Sequence, residues 1–410
     1  MSSTPHFLVS ASLSFQGKDT PLELDLELDL EASRYSPQFP SGHKLNPHFS
    51  HTYGLEDELG SGGYGFVMTA RHRIEGHEVA VKFIIKDKVP EHAWMEDDAI
   101  GRLPTEVMLL TFIDHPNIVK CLDLFEDSLY FYLIQELHGS PWPKTKRQHL
   151  ISTPGSMSTN SLNSLTASTP TLSPSGSASS LANSDRSESF PIDLGNPPTR
   201  LPFKLYRNGD LLDVSPLRPC LPSHPKFTRR PSHDLFECIE QSEHKHLSED
   251  QARHVFSQVV DAVYYLDSQG VTHRDIKDEN LVIDKEFNVK LIDFGSATVV
   301  DPNDPRPFYT LFFGTTAYAS SEILLKKEYQ APPAEIWTLG VLLSYVLTGT
   351  SPFPTVKDAI NGRIVLADIP DARLSRAAMN LMRRCLDPNP ETRATIEEVK
   401  AHRWLIPDSL

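Results

Sequence analysis

A forty-residue tract rich in serine and threonine divides the chain. Nineteen residues between positions 151 and 190 are Ser or Thr, and no Phe, Trp or Tyr occurs between Trp142 and Phe190. Such a segment cannot bury enough apolar surface to offset the loss of chain entropy on folding. The sequence therefore predicts a disordered insert over 140–231, far longer than the usual loop of about four to six residues, with folded parts on either side.

The part before this tract has the pattern of a small antiparallel sheet. Short runs rich in apolar and β-branched residues are separated by glycines and charged turns, which is typical of strands joined by tight turns. The predicted strands are Tyr53–Leu59, Gly65–Arg71, Glu78–Ile84, Val119–Glu126 and Leu129–Glu136. One helix is expected between the third and fourth strands, around Leu103–Phe112.

The part after the tract is mostly helical in pattern. Ser248 and Gln251 form a capping box that begins a helix, and Gly270 ends it. The most apolar run, Ile336–Leu347, is too short to span a bilayer and predicts a buried helix. With the pattern continuing to Ile406, we expect a small β-rich lobe and a larger helical lobe.

Charge and cysteine content limit the partners and the compartment. The formal net charge of −15 disfavours nucleic acid and anionic membranes as partners, whereas basic peptides remain compatible. The four cysteines are scattered and form no C-x-x-C pair, which argues against a zinc site or a disulfide framework. The N-terminus does not read as a signal peptide. We expect a monomer in the cytoplasm, with the nucleus as a second compartment.

Residues 1–50 are predicted to be a flexible segment with one unusual feature. Leu22–Glu31 reads LELDLELDLE, so an extended chain there would have one apolar and one acidic face. Two interpretations stay open. The segment is either a solvated acidic tail or edge strand, or a docking or autoregulatory strand.

Gly60, Gly62 and Gly65 form a G-x-G-x-x-G pattern between two predicted strands. Glycines at such positions let backbone amides approach phosphate oxygens because no Cβ stands in the way. The pattern alone is weak, since a plain tight hairpin also uses glycine. A dinucleotide-binding turn is disfavoured because no helix and no ribose-binding acid follow in register.

Lys82 lies inside the apolar strand Val79-Ala80-Val81-Lys82, where an unpaired ammonium would be costly to bury. Phosphate oxygens and a carboxylate would offset that cost. Glu106, on the predicted helix, is the preferred carboxylate. Its competitor Glu96 precedes Gly101 and Pro104 and therefore lies before the helix.

The strongest chemical signal is His273-Arg274-Asp275-Ile276-Lys277-Asp278-Glu279-Asn280, followed by Asp293-Phe294-Gly295. Asp275 is a candidate to orient an attacking hydroxyl and accept its proton. Asn280 and Asp293 offer the oxygen ligands that Mg²⁺ prefers. Lys277, two positions after the candidate base, can offset charge on a transferred phosphoryl group.

Together, these motifs resemble the eukaryotic protein kinase family over residues 53–406. The catalytic domain of PAS-domain serine/threonine kinases, in the calmodulin-kinase-like group, is more closely similar. That likeness is carried by the runs VKFIIKDKV, ELHG, DLFECIE and HRDIKDENLVID. The resemblance implies an α+β bilobal kinase fold that uses ATP and Mg²⁺. Its predicted parts are an N-lobe with hinge over 51–139, a C-lobe over 232–406 and a tail over 407–410.

The resemblance also implies a nucleotide site. Backbone groups of Glu136 and His138, in the hinge, would hold the adenine, and Asp234 would reach the ribose. The apolar contacts implied for the nucleotide are Leu59, Val67, Ala80 and Val282. His273 and Phe294 are implied to pack together between the lobes.

The sequence departs from the family pattern at several positions. The usual Ala-Pro-Glu reads Ser320-Ser321-Glu322, although Glu322 can still pair with Arg393. Glu335 stands where an aspartate would brace the catalytic loop, and Gln135 occupies the back of the adenine pocket. The roughly fifty residues before the kinase part are too few for a PAS domain, so we carry over no sensing role.

Protein substrates with serine or threonine acceptors are favoured by Lys277. Glu279 and Asp234 favour basic residues upstream of the acceptor. Two rival hypotheses remain. One is a pseudokinase scaffold whose insert binds partners, and it would require a lost catalytic residue. The other is a small-molecule kinase of the same fold, which the Gly314-Thr315 pair disfavours.

Overall fold

The computed structural model describes residues 32–97, 101–139, 205–206, 233–366 and 374–406. The acidic segment Leu22–Glu31 and the tail 407–410 lie outside the described residues. So does the predicted insert 140–231, apart from Leu205–Tyr206. The predictions made for those segments stay predictions.

The N-terminal lobe is a sheet with one helix packed beside it. Its elements in chain order are α1 (Pro47–Thr52), β1 (Tyr53–Ser61), β2 (Gly65–His72), β3 (Glu78–Ile85), β4 (Trp94–Asp97), β5 (Gly101–Pro104), α2 (Thr105–Phe112), β6 (Cys121–Glu126), β7 (Tyr130–Glu136) and β8 (Leu205–Tyr206). The main sheet has the order β1-β2-β3-β7-β6-β8, whereas β4 and β5 form a separate hairpin before α2. The five strands and the helix predicted from sequence are confirmed, with ends that differ by one or two residues.

The C-terminal lobe is mainly helical. Its elements are α3 (Leu235–Gln241), α4 (Glu249–Ser268), β9 (Val271–Thr272), β10 (Leu281–Ile283), β11 (Val289–Leu291), β12 (Thr298–Val299), α5 (Ser321–Leu324), α6 (Ala331–Thr348), α7 (Val356–Ile360), α8 (Arg376–Cys385) and α9 (Ile396–Lys400). The Ser248–Gln251 capping box is present at the start of α4. These two halves confirm the predicted α+β bilobal fold.

Helix α6 is the centre of the C-terminal lobe, and nearly all of its residues are buried. The close approach of α8 explains Gly340, because a Cβ there would lie 2.7 Å from the Leu386 side chain. The predicted buried helix at Ile336–Leu347 is confirmed. In the described residues, no helix combines the length and the apolar character needed to cross a membrane.

The prediction that residues 1–50 are flexible is wrong for residues 32–50. These residues, continued by His51 and Thr52, form a strap, which we define as Ala32–Thr52, across the outer face of the N-lobe sheet. Phe39 and Phe49 are buried there among aromatic side chains of the strands. The Phe39 ring makes edge contacts at 4.9 Å with both Phe66 and Phe83.

Polar contacts fix the two ends of the strap. Asn46 caps α1 by accepting hydrogen bonds from the backbone of His48 and Phe49, and its amide donates to the Glu126 carbonyl at 2.8 Å. Ser36 is fully buried and donates to the Glu58 carboxylate at 3.0 Å. The strap is therefore an integral part of the lobe.

Sequence periodicity could not identify the strap because its apolar residues follow neither a helical nor a strand repeat. The sequence of β7 did contain a signal, because Tyr130–Ile134 are all apolar or aromatic and do not alternate with polar residues. In the structure every residue from Tyr130 to Gln135 is buried, so both faces of that strand are covered. A sheet that is apolar on both faces requires a cover on each side.

A sixth strand joins the main sheet from within the predicted insert. β8 runs parallel to β6, with Leu205 opposite Leu124 and Tyr206 opposite Phe125. The chain that leaves the hinge therefore returns to the edge of the N-lobe sheet before it enters α3.

Replacing Phe49 by alanine should destabilise the protein. The side chain is fully buried, and Phe→Ala at such sites costs about 3 kcal/mol or more through lost burial and the cavity left behind. The free energy of unfolding, measured with denaturant, should fall by that amount. Ile74→Ala, at a side chain that is 70% exposed, is the matched control and should change it by less than about 0.5 kcal/mol. Equal stabilities for the Phe49→Ala variant and the parent would show that the strap is not part of the folded unit.

Candidate active site

Lys82 is the meeting point of three elements. It lies in β3 opposite Val67 of β2 and Leu133 of β7. Its ammonium donates to the Glu106 carboxylate of α2 at 2.5 Å and to Asp293 at 2.8 Å. The predicted choice of Glu106 is confirmed, because Glu96 lies in β4 opposite Arg102.

The charges of this cluster are mutually stabilised. The Lys82 ammonium holds the pKa of Asp293 at about 2. Burial alone would lower the pKa of Lys82, but the carboxylates of Asp293 and Glu106 outweigh burial and raise it. At neutral pH the cluster therefore has a protonated lysine beside an ionised Asp293.

Three polar side chains surround the Asp275 carboxylate: Lys277 and Asn280 from the loop after β9, and Thr315 from a later segment. The Asp275 carboxylate accepts a hydrogen bond from the Thr315 hydroxyl at 2.9 Å and another from the Asn280 amide at 3.1 Å. The Lys277 ammonium donates to Thr315 at 3.1 Å and lies 3.6 Å from the Asp275 carboxylate. Thr315 therefore contacts both Asp275 and Lys277. Both carboxylate oxygens of Asp275 are thus held in a fixed orientation.

The two motifs are tied together by the backbone and by a ring contact. The Ile292 amide donates to the Asn280 carbonyl at 3.0 Å. The His273 ring packs edge-on against Phe294 at 4.8 Å between centroids, as expected. Asp293, which lies between Ile292 and Phe294, has a left-handed φ of 64°. This turn directs its carboxylate toward Lys82.

Asn280 and Asp293 suit a hard divalent cation. The Asn280 amide nitrogen already donates to the Asp275 backbone and carboxylate, so its oxygen is the atom left for a metal. Asp293 is ionised, and it supplies a second oxygen ligand. Mg²⁺ commonly takes one or two such protein ligands and completes its shell with water and substrate phosphates. The donor set therefore fits magnesium.

The glycine-rich turn between β1 and β2 is closed by a hydrogen bond from the Gly62 amide to the Gly65 carbonyl, at 2.8 Å. Gly65 is required by packing, since a Cβ there would lie 1.9 Å from the Phe83 carbonyl oxygen. At Gly60 and Gly62 an added Cβ would meet nothing within 4 Å. These two glycines leave open space above the cleft, the name we use for the region between the two lobes beside Lys82 and Asp293.

The residues implied for the base and ribose lie along one wall of the cleft. Asp234 forms a backbone bridge with Val282 and caps α3 by accepting from the Glu237 amide at 2.8 Å. The Glu136 carboxylate is held by Lys290 at 2.8 Å. The His138 ring contacts the Asn288 carbonyl at 2.9 Å. Both hinge side chains are therefore engaged with the C-lobe side of the cleft.

Glu335 holds the backbone of the catalytic loop, the segment 273–280 that carries Asp275. It is buried in α6, and its carboxylate accepts a hydrogen bond from the Arg274 amide at 2.7 Å. Burial raises the pKa of Glu335 to about 8. The longer side chain thus makes the contact expected of the aspartate that it replaces.

The Ser320-Ser321-Glu322 variation preserves the predicted ion pair. Both guanidinium branches of Arg393 donate to Glu322, at 2.9 and 2.8 Å, and both residues are buried. Ser321 adds a hydrogen bond of 2.6 Å to the Pro388 carbonyl. The segment is therefore held by polar contacts where proline would have stiffened the backbone.

Arg274 is packed by aromatic rings of the activation segment, which we define as residues 293–322. Its guanidinium lies 5.5 Å from the Tyr309 ring and 5.0 Å from the Phe313 ring, and it donates to the Ser296 carbonyl at 2.6 Å. Tyr309 in turn bridges to Tyr329 through the backbone. Neutral contacts thus order this segment around the loop that holds Asp275.

Sequence reasoning missed Tyr318 as a supporting residue. Its hydroxyl donates to the Asp278 carboxylate at 2.8 Å, and both residues are buried. The available signal was the excess of acids in the loop, because a buried carboxylate requires a donor. Its partner is distant in sequence, so the pairing itself could not be predicted.

Taken with the two-lobed fold, this geometry is that of a protein kinase. The chain belongs to the protein kinase domain family, whose model matches residues 53–169 and 228–405. The stretch between these two segments lies within the predicted insert.

Three relatives are named as kinases, and the names of two of them specify serine/threonine-protein kinases. The chain is 31% identical over 357 residues to a PAS domain-containing serine/threonine-protein kinase of Mus musculus, covering 87% of this chain and 19% of that protein. It is 27% identical over 350 residues to serine/threonine-protein kinase PSK2 of Saccharomyces cerevisiae, covering 85% and 23%. It is 26% identical over 377 residues to NUAK family SNF1-like kinase 1 of Homo sapiens, covering 90% and 41%. The chain spans less than half the length of each of these three proteins.

Glu335 should make stability depend on pH. Its folded-state pKa of about 8 exceeds the ordinary value of 4.5, so its stabilising contribution is full below pH 4.5 and is lost as pH rises through 8. The slope for one such group is about 1.4 kcal/mol per pH unit. Glu335→Gln, which resembles the protonated acid, should flatten this slope in denaturant unfolding between pH 5.5 and 7.5.

Glu328→Gln, at an exposed carboxylate, is the control and should leave the slope as in the parent protein. The assignment to Glu335 is contradicted if the parent and the Glu335→Gln variant lose stability with pH at the same rate.

Proposed function

We propose that the protein transfers the γ-phosphoryl group of Mg²⁺-bound ATP to serine or threonine hydroxyls of protein substrates. The observation that supports this most directly is the convergence of two clusters. Asn280 donates to the Asp275 carboxylate at 3.1 Å, and its carbonyl accepts from the Ile292 amide at 3.0 Å. The next residue, Asp293, accepts from the Lys82 ammonium at 2.8 Å. A lysine for phosphates and a carboxylate for a hydroxyl are thereby joined through a short series of hydrogen-bonded residues.

Asp275 is the group proposed to receive the substrate hydroxyl. Its carboxylate is held by Thr315 and Asn280, so it can orient the hydroxyl and accept its proton without first reorganising. General-base catalysis by such a group contributes about 10²- to 10⁴-fold. The fixed orientation matters because reacting atoms must already be aligned for this gain.

The positive charges are proposed to act on the phosphates. Lys82, kept protonated by its two carboxylates, would bind phosphate oxygens of the nucleotide. Lys277 lies near Asp275 and would offset charge that develops on the transferred group. Preorganised charges of this kind act without reorganisation cost, and removal of one such group commonly costs about 10²- to 10³-fold in rate.

Asn280 and Asp293 would hold magnesium. When bound, the ion supplies charge neutralisation between the phosphates. The part of the protein is to present two oxygen ligands and to keep Asp293 ionised, which the low pKa of that carboxyl ensures.

The rival hypotheses are less well supported. A pseudokinase scaffold would require a lost group, yet none is lost: Lys82 is hydrogen-bonded to Asp293, and Asn280 to Asp275. A small-molecule kinase would have no need of an ordered peptide platform. Here Thr315 contacts the proposed base, and the buried Glu322–Arg393 pair fixes the following segment. These contacts favour a peptide acceptor.

The proposal extends to the setting of the enzyme. We propose a monomeric kinase of intracellular signalling, in the cytoplasm or nucleus. Three of the four cysteines, Cys121, Cys238 and Cys385, are free and buried, and this supports a reducing compartment. Cys220 lies outside the described residues.

Asp275→Asn should abolish phosphoryl transfer while preserving nucleotide binding. The amide can orient but cannot accept a proton, so we expect a loss of about 10³-fold in kcat. Radiolabelled ATP with a generic protein substrate measures the transfer, and calorimetric titration with Mg²⁺-ATP measures binding. Glu286→Gln, at an exposed carboxylate outside the cleft, is the control and should retain full activity. Transfer by the Asp275→Asn variant at the parental rate would contradict the assigned base.

Basic residues upstream of the acceptor should increase activity. The Glu279 side chain is 58% exposed and lies 3.0 Å from Lys277, so a substrate arginine can reach it. Glu279→Gln should lower kcat/KM for an arginine-containing peptide about fivefold, which corresponds to about 1 kcal/mol for an exposed ion pair. The same peptide with alanine in place of arginine is the control. It measures any loss of activity that arises because Glu279→Gln disturbs Lys277 and not because a contact with the substrate arginine is lost. Equal losses with both peptides would exclude Glu279 as a contact for basic substrate residues.

A further inference from the structure

Gln135 is a buried amide that lacks a partner at its nitrogen. The side chain, in β7, is only 6% exposed. Its Nε2 has no hydrogen-bond partner among the described residues. A buried donor without an acceptor is destabilising. An unpaired donor in a native protein therefore needs a physical explanation.

The register of the sheet places Gln135 on the wall of the cleft. Gln135 lies directly opposite Ala80 in β3, and residues opposite each other in an antiparallel pair point to the same face. Ala80 and Lys82 are two residues apart, so they also share a face. Because Lys82 points into the cleft toward Asp293, Gln135 points to the same side of the sheet.

The surroundings of Gln135 offer little to its amide. Leu133, two residues earlier on the same face, is fully buried. Cys121 lies opposite Gln135 in β6, and its thiol is directed to the Asp123 carbonyl. An apolar side chain would suit such a neighbourhood better. The amide is therefore explained best by a ligand that enters the cleft.

The position of Gln135 along β7 indicates which part of a bound nucleotide its side chain would contact. Lys82 marks the phosphate end of the proposed nucleotide site. The hinge, which begins at Glu136 at the end of β7 and includes His138, marks the other end, where the base would lie. Gln135 immediately precedes Glu136, so its side chain lies at that end of the shared face.

We infer that Gln135 recognises the N6/N7 edge of adenine, with Nε2 donating to N7 and Oε1 accepting from the N6 amino group. A glutamine amide and this edge form a matched donor–acceptor pair. Guanine presents two acceptors at the same edge and so matches only the donor. This inference rests on the proposed function, and it adds that the chain selects adenine by side-chain hydrogen bonds at the rear of the cleft.

The test compares ATP with 7-deaza-ATP, in which a carbon replaces N7. Dissociation constants with Mg²⁺ are measured by calorimetry for the full chain, and KM is measured with a protein substrate. The parent protein should bind 7-deaza-ATP about tenfold more weakly, within the range of a bidentate amide–adenine pair. Gln135→Met should bind the two nucleotides equally, within about twofold, and should bind ATP as weakly as the parent binds 7-deaza-ATP.

Gln241→Met is the matched control, because Gln241 also carries a buried amide atom without a partner among the described residues but lies on α3. It should keep the tenfold preference for ATP. The inference is overturned if the parent binds both nucleotides equally, or if Gln135→Met retains the preference. In either case transfer from ATP to protein would leave the proposed function intact. Failure of the parent to bind or use ATP at all would overturn both. The comparison in the parent protein decides the question even if the Gln135→Met variant does not fold.

Discussion

The rest of the structure depends on the buried ammonium of Lys82. It is in contact with carboxylates from α2 and from the segment after β11, so one charge joins the sheet, the helix and the C-lobe. Removing a partner from such a buried cluster leaves an uncompensated charge, which commonly costs about 3–5 kcal/mol. The orientation of α2, and with it the width of the cleft, is therefore coupled to the position of Asp293.

The C-lobe supports the opposite side of the cleft with a second set of buried polar contacts. Glu335 holds the backbone of the loop that carries Asp275, and the Glu322–Arg393 pair holds the segment that carries Thr315. Both contacts are tied to α6, which is almost entirely buried: Glu335 lies on it, and Arg393 donates to its Pro333 carbonyl at 2.7 Å. The hydrophobic core thus fixes the polar side chains of the site, and the departures at 320–322 and 335 change the groups used without changing what they hold.

Much of this arrangement could be predicted from sequence. The strands, α4 and α6 follow from periodicity and capping. The clustered motifs identify Lys82, Asp275, Asn280 and Asp293, because polar residues within or beside apolar strands are costly to bury unless they meet a ligand or a charged partner. Glu106 could be selected over Glu96 from helix-breaking residues alone. Contacts between distant, individually ordinary residues could not be predicted. Tyr318 with Asp278, Asn46 with Glu126 and the rings of the strap all depend on tertiary packing, which leaves no local pattern.

The strap has a consequence for what counts as the smallest intact enzyme. The family match begins at residue 53, yet Ala32, Phe39, Leu45 and Phe49 complete the aromatic core of the sheet behind the glycine-rich turn. The segment matched by the protein kinase domain family is therefore shorter than the unit of folding. Trimming this chain to residue 53 would leave Phe66, Phe83 and Tyr130 facing water, an apolar surface prone to self-association.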